Sequence, residues 1–361
     1  MQAQIRRRES RRTNAKIFGF FIVFSTFSAK LQKSWKFIRY FVAIFIEYKV
    51  FLSIMPKLPP LFNPSNDMAL AADVREYTPP RRIRLMEEEL QDLARCWEEG
   101  PWGWSMATKQ RYLKMGIGEK LLPSDEWLKE VRRLASREFS CLYLKELLKA
   151  IPSEKLLGRE MRFCTSIDEE KEGRIYKSLW SSSGRGIFTT DGLSKDHLRE
   201  RLEGLLSAQG GYVEDRFYEN KLQDCAMEFK VSADGEVEFL GYSVFKAERN
   251  GTYQYNIVES QQTLRNMIEA EDELLEALIE YHKIQLGRTA YRGYVGIDML
   301  TTKDGKLHPV VEINFRMNMG ILALMLYEKY GSKANVQLTP KREHGFEAGV
   351  KDGKLSIGYK P

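Results

Sequence analysis

The sequence predicts an α+β fold, two α+β subdomains preceded by a smaller α/β region. Three observations carry this expectation. Beyond residue 158 short strands appear, at about 174–180, 186–189, 212–217, 225–231, 236–246, 293–300 and 307–314. The pairs Asp234-Gly235, Asn250-Gly251 and Asp304-Gly305 mark hairpin turns. Helical stretches at 194–207 and 260–286 lie between the strands, opened by the capping serines Ser194 and Ser260. Hairpins mixed with helices argue against a regular doubly wound sheet.

The chain of 361 residues suits one large enzyme or two to three packed subdomains. The expected organisation is an N-terminal extension at 1–54, a preceding region at 55–157, a small subdomain at 158–218, a large subdomain at 219–333 and a C-terminal tail at 334–361. In the preceding region, Phe62-Asn-Pro-Ser-Asn-Asp-Met reads as a turn-rich junction into a helix. Arg82–Glu99 reads as a helix closed by Gly100-Pro101. Ser124–Ala150 reads as one long helix, with Ser124 as its cap and Pro152 beyond its end.

The formal net charge of +6 suggests nucleic acid until it is located. Residues 1–54 hold 11 Lys/Arg and 2 acids, and 55–361 hold 45 basic and 48 acidic residues, a net of −3. Binding a phosphate backbone needs a basic excess that 55–361 lacks, so nucleic acid is not an expected partner. Residues 1–54 also carry nine of the 19 Phe. Their apolar runs, 17–29 and 37–46, are short of the roughly 20 residues of a spanning helix. The composition reads as translated A/T-rich DNA upstream of a start at Met55, with a weak membrane segment as the other reading. The four cysteines are scattered without a Cys-x-x-Cys pair, as in a reduced cytoplasmic protein. The four histidines are equally dispersed and give no metal site or Ser-His-Asp triad a starting point.

Three constellations carry chemistry. In Ile175-Tyr-Lys-Ser-Leu-Trp-Ser-Ser-Ser-Gly-Arg-Gly-Ile-Phe188 a strand delivers Lys177 and a Ser/Gly loop follows. Backbone N–H groups of such a loop can surround a phosphate while the lysine supplies charge. It lacks the Gly-Lys-Ser/Thr of a Walker loop. In Gly211-Tyr-Val-Glu-Asp-Arg-Phe217 a strand-end glutamate precedes main chain able to meet an adenine edge, and Asp224 follows as a ribose ligand. The third is Tyr294-Val-Gly-Ile-Asp-Met-Leu300, a turn, then Leu307-His-Pro-Val-Val-Glu-Ile-Asn-Phe-Arg316. Apolar strands seldom carry Asp298, Glu312 and Asn314 without purpose, because an unpaired buried carboxylate is costly. Period 2 puts Glu312 and Asn314 on one face. Asp298 joins them if it stands opposite Glu312 across an odd-length loop, whereas a strict two-residue turn faces it the other way. Three oxygen ligands on one face suit a hard cation such as Mg²⁺, with Arg316 at the rim.

The order and spacing of these motifs over roughly 135–330 resemble the ATP-grasp superfamily. The Asp-turn-Glu-x-Asn-x-Arg hairpin and the Ser-Ser-Gly-Arg-Gly loop carry the resemblance. It implies that two subdomains sandwich ATP, with Lys177 on the α/β-phosphates and Ser182, Ser183, Gly184, Arg185 and Gly186 closing over the β/γ-phosphates. It implies Glu214 and the Phe217 main chain on adenine, Asp224 on ribose, and Asp298, Glu312 and Asn314 on Mg²⁺ or Mn²⁺. Arg316 and Lys177 are then catalytic, Arg316 facing the developing acyl phosphate, with Arg292 a weaker candidate for that role. Arg137 stands near a position where relatives carry a lysine, and Gly296 where some ligases carry an arginine. Asn318 and Gly320 continue the substrate-facing loop, and the Phe62–Asp67 segment lines the substrate cleft. The implied activity is a ligase that activates a small-molecule carboxylate and joins it to an amine or similar nucleophile. An ATP-grasp small-molecule kinase and a non-catalytic nucleotide-binding protein are the alternatives.

Overall fold

The computed structural model describes residues 57–361 except 98, 168–171, 182–185, 250, 332–335, 339–342 and 361. The 1–54 stretch and Ser182, Ser183, Gly184 and Arg185 of the expected phosphate loop lie outside the described residues. The chain divides into two units, Met1–Lys57 and Leu58–Pro361, and the second is the subject here. No helix among the described residues is long and apolar enough to cross a membrane.

The second unit is α+β, and it begins with helices: α1 (Asn66–Ala72), α2 (Arg81–Glu89), α3 (Met106–Lys114), α4 (Asp125–Leu134) and α5 (Arg137–Ala150). Among its described residues the 55–157 region carries no strand and two parallel bridges, Leu61 with Pro101 and Leu156 with Leu307. Ser124 caps α4 as expected, accepting from the Trp127 N–H. The long helix expected over 124–150 is instead two. The Ser136 hydroxyl accepts from the Phe139 N–H and donates to the Arg133 carbonyl, so it closes α4 and opens α5. The helix expected over 82–99 ends at Glu89 and continues as a 3-10 turn, Gln91–Cys96.

The strands form two antiparallel sheets. β1 (Arg162–Cys164), β2 (Arg174–Ser178), β3 (Ile187–Thr189) and β4 (Tyr212–Arg216) pair in the order β1-β4-β2-β3. Helix α6 (Lys195–Gln209), capped by Ser194, covers one face of this sheet with Leu198 and Leu202 against Tyr176, Phe188 and Tyr212. The larger sheet contains β5 (Lys221–Val231), β6 (Val237–Ala247), β7 (Tyr253–Ile257), β8 (Gly293–Thr302), β9 (Leu307–Asn314), β10 (Val336–Gln337), β11 (Gly345–Lys351) and β12 (Lys354–Lys360). Its order is β10-β11-β12-β7-β6-β5-β8-β9. The expected helix over 260–286 is two, α7 (Gln261–Asn266) and α8 (Asp272–Gly287), and α9 (Met319–Tyr330) follows the β8–β9 hairpin.

The C-terminal residues correct the expectation of a tail. β11 and β12 form a hairpin that joins the large sheet through β7. Phe346, Ala348 and Val350 alternate inward, and Asp352 and Gly353 both adopt positive φ at the turn, as a tight hairpin requires.

Alternation along β5 divides the large sheet into two environments. Cys225, Met227, Phe229 and Val231 join Val295, Ile297 and Met299 of β8 in the main core, with Leu275 and Leu278 of α8. Asp224, Ala226 and Glu228 face the opposite side, where they line a cavity.

Candidate active site

The cavity has a volume of about 660 Å³ and draws its walls from both sheets, from α9 and from the Phe62–Pro64 segment. Its polar lining comes from every part of the sequence that the three constellations marked.

The β8–β9 hairpin resolves the register question. Asp298 is the direct partner of Glu312, and Gly296 of Asn314, with a bulge between Asp298 and Leu300. The turn-side pairs, Thr301 with Leu307 and Leu300 with His308, already set the even register that puts Asp298 on the face of Glu312 and Asn314, and the bulge brings Glu312 directly opposite it. The Asn314 amide donates to Asp298 at 3.1 Å. Burial, then Glu312, then Glu228 raise the Asp298 pKa well above the usual carboxylate range. Two facing carboxylates beside an amide oxygen form a set that a hard cation stabilises. No three His, Cys, Asp or Glu side chains among the described residues form a ligand cluster. The hairpin's oxygens therefore fit a cation whose remaining ligands come from phosphate and water, as is usual for Mg²⁺.

Lys177 reaches the cavity from β2 and is 5% exposed. Burial lowers its pKa, with Asp215 and Glu312 acting the other way and Arg137 adding to the fall. Among the described residues none accepts a hydrogen bond from its ammonium, so a buried cation faces the cavity in want of an anion. Asp215 on β4 lies on the same face, since Ile175 pairs with Asp215 and Lys177 with Val213. Asp215 is buried and meets His308 at 3.1 Å. Burial would raise its pKa, but His308, followed by Lys177, brings it below the usual value.

Arg137, at the start of α5, also lines the cavity. Its guanidinium donates to the Ser178 carbonyl at 2.6 Å, to the Ser181 hydroxyl at 2.8 Å and to Glu312 at 2.7 Å. It ties the start of the serine loop to the expected metal hairpin. Arg316 contacts Asp67 of α1, with Nε at 3.0 Å and Nη2 at 2.8 Å. Burial opposes the charge of Arg316, and Asp67 more than offsets it, so its pKa is raised.

Lys177, Phe217, Asp224, Asp298, Glu312, Asn314 and Arg316 therefore line one cavity. Three expectations are corrected. Glu214 points away: with Tyr176 as its cross-strand partner it faces the other side of the small sheet, 3% exposed, where it pairs with Arg162 at 2.8 Å. Its neighbour Asp215 takes the cavity side. Of the Phe217 main chain, expected to meet adenine, the N–H instead donates to the Gly173 carbonyl at 2.8 Å, while the side chain lines the cavity. Arg292 binds the Ala233, Thr289 and Tyr291 carbonyls and is not among the cavity's lining residues. Asp224 pairs with Lys221 at 2.8 Å. Gly186 has φ +66, and a Cβ there would meet the Ser178 hydroxyl.

Sequence reasoning missed Asp215, Glu228 and the partner of Arg316. Glu228 is 1% exposed and accepts from the Asn318 amide at 2.8 Å and the Ser243 hydroxyl at 2.7 Å. Burial pushes its pKa up to about 7 against those two hydrogen bonds. A Cβ on Gly296 or Gly320 would meet Glu228 or Asn318, which explains why no arginine occupies position 296. A lone glutamate inside the apolar run Cys225–Val231 was the available signal.

No family model matches the chain, and no curated protein matches it. It is similar to solved structures. With biotin carboxylase from Campylobacter jejuni it shares 12% identity over 72% of this chain and 71% of that one, at a TM-score of 0.41. With the biotin carboxylase domain of Hydrogenobacter thermophilus 2-oxoglutarate carboxylase, solved with MgADP and bicarbonate, it shares 14% identity over 58% of this chain, at a TM-score of 0.39. The chain spans about half (48%) of that domain. With a candidate ATP-grasp superfamily protein from Archaeoglobus fulgidus it shares 15% identity over 64% of this chain and 66% of that one, at a TM-score of 0.33.

Proposed function

We propose that this chain is an ATP-grasp enzyme, an ATP- and Mg²⁺-dependent ligase that joins a small carboxylate to an amine or similar nucleophile. The observation that carries the reading is the charge layout of one cavity: the buried, unpartnered Lys177 ammonium shares it with the facing carboxylates Asp298 and Glu312. Such a layout suits a polyphosphate bound through a divalent cation.

In this reading Lys177 holds phosphate oxygens, and Asp298, Glu312 and Asn314 hold Mg²⁺. When bound, that ion neutralises phosphate charge and orients the transferring group. The substrate carboxylate attacks the γ-phosphorus, the bond to the ADP oxygen breaks, and an acyl phosphate forms. Arg316 stabilises its phosphoryl oxygens. The nucleophile then attacks the acyl carbon, phosphate leaves, and the nucleophile's proton passes to solvent. Phosphoryl transfer depends mainly on positioning and charge neutralisation, and these side chains supply both.

The test is a screen of metabolite carboxylates and amines for stimulated ADP formation by the full-length protein, with product analysis. Free phosphate together with a new amide or thioester supports the ligase. A stable phosphorylated product assigns the kinase reaction instead, and absence of turnover with retained nucleotide binding assigns a binding protein.

A further inference from the structure

The helical region ahead of the sheets places one carboxylate in the cleft, and its hydrogen bonding to Arg316 is specific. A guanidinium carries five N–H donors in a planar fork. Asp67 takes the Nε/Nη2 side of that fork, and the Met317 carbonyl takes one Nη1 hydrogen at 3.1 Å. Among the described residues no other acceptor engages it. One hydrogen remains on Nη1 and one on Nη2 for a further acceptor. These two donors can meet oxygens of a phosphate or carboxylate.

The segment that leads into Asp67 is held independently of Arg316. The Asn63 side chain bridges to Gly103, donating to its carbonyl at 2.9 Å and accepting its N–H at 3.2 Å. The Ser65 N–H and hydroxyl both donate to Glu87, which also pairs with Arg111 at 2.9 Å. Asn63, Ser65, Asn66 and Glu87 are each less than 5% exposed. Close packing of Gly103 on the Asn66 side chain leaves no room for a Cβ at 103. Phe62 and Pro64 of the same segment line the nucleotide cavity. The Phe62–Asp67 segment is thus a rigid bracket that reaches 249 residues along the chain to hold Arg316.

From this geometry we infer that Asp67 is the positioning residue of the site: it turns Arg316 so that the free donors of its guanidinium meet the transferred phosphoryl group. The inference rests on the proposed ATP-dependent reading. It adds that the helical region contributes to phosphoryl transfer itself, beyond any role in holding the second substrate. Asp67 need not touch substrate, because it acts through Arg316 alone.

The experiment is calorimetric and independent of the unknown carboxylate. The full-length protein is titrated with ADP in excess Mg²⁺, and the ADP-saturated protein is then titrated with inorganic phosphate as a stand-in for the transferred group. In Asp67→Asn, ADP affinity stays within twofold of wild type, while phosphate affinity falls about tenfold or more. Asp67→Glu recovers part of the loss. In an Arg316→Lys background, Asp67→Asn has no further effect, as expected for a residue that works only through its partner. Unchanged phosphate affinity in Asp67→Asn, or additive losses in the double variant, overturns the inference. So does wild-type protein that binds ADP but no phosphate. Wild-type protein that fails to bind ADP overturns the ATP-dependent reading instead. If Asp67→Asn does not fold, Asp67→Glu serves alone, and wild-type phosphate affinity in it counts against the proposal.

Discussion

Asp298 stands directly opposite Glu312 across the β8–β9 hairpin, and the bulge after Asp298 shifts the pairing by two residues, so that Glu312 rather than Val310 faces it. Without a cation this arrangement holds like charges together, and burial adds to the raised pKa of Asp298. Replacing Asp298 with Asn removes one charge from the pair. Metal-free Asp298→Asn is expected to melt at or above the wild-type temperature at pH 7, while its Mg²⁺-dependent ADP affinity falls at least tenfold. Differential scanning calorimetry with and without Mg²⁺, alongside ADP titration, checks both halves.

Lys177 is a desolvated ammonium facing the cavity. Its removal relieves a buried charge and, on the proposed reading, deletes the phosphate contact. Lys177→Met is therefore expected to retain wild-type stability or gain slightly, and to lose ADP affinity by about tenfold or more, a change of about 1.4 kcal/mol. Urea unfolding and ADP titration of the same preparation separate the two effects.

Arg137 joins Ser178, Ser181 and Glu312 from a position 2% exposed. Removing one partner of a largely buried pair leaves the other uncompensated, at a cost of about 3 kcal/mol. Arg137→Met is expected to lose on that order of stability, whereas Arg137→Lys should keep the pair with Glu312 and lose the bonds to the serines. Urea midpoints of the two variants distinguish them.

The buried Glu228 predicts a pH dependence. Its folded pKa of about 7 lies above the ordinary glutamate value of 4.5. The folded state therefore binds its proton more tightly than the unfolded state does. The stability this contributes is complete below about pH 4.5 and is lost as pH rises to about 7. That shift corresponds to about 3 kcal/mol. Glu228→Gln should abolish this part of the slope, so wild type and variant should diverge between pH 4.5 and 7, with the wild type losing more. Parallel unfolding curves across that range would remove Glu228 as the cause.

Much of this architecture was legible because a few residues are over-determined. Asp298, Glu312 and Asn314 stood out as polar residues in apolar strands, and the register that unites them required only an odd loop count. The Ser124, Ser194 and Ser260 caps set helix starts through one local hydrogen bond each. What was missed depends on partners remote in sequence. Glu214 and Asp215 are adjacent acids, and which one faces the cavity follows from pairing with β2, not from either residue itself. The β11–β12 hairpin carried a readable Asp352-Gly353 turn, but its place beside β7 is a tertiary choice. Helix α5 began at Ser136 because that side chain found two backbone partners, which a continuous helical pattern conceals.

On the proposed reading this cavity binds nucleotide through Lys177 and a cation held by the β8–β9 hairpin. Titration of the full-length protein with ADP, with and without Mg²⁺, for wild type and Glu312→Ala, tests it most directly. Saturable binding that Mg²⁺ strengthens at least tenfold in the wild type and not in the variant is the expected result. Binding of equal strength in all four conditions, or no binding in any, would contradict the reading.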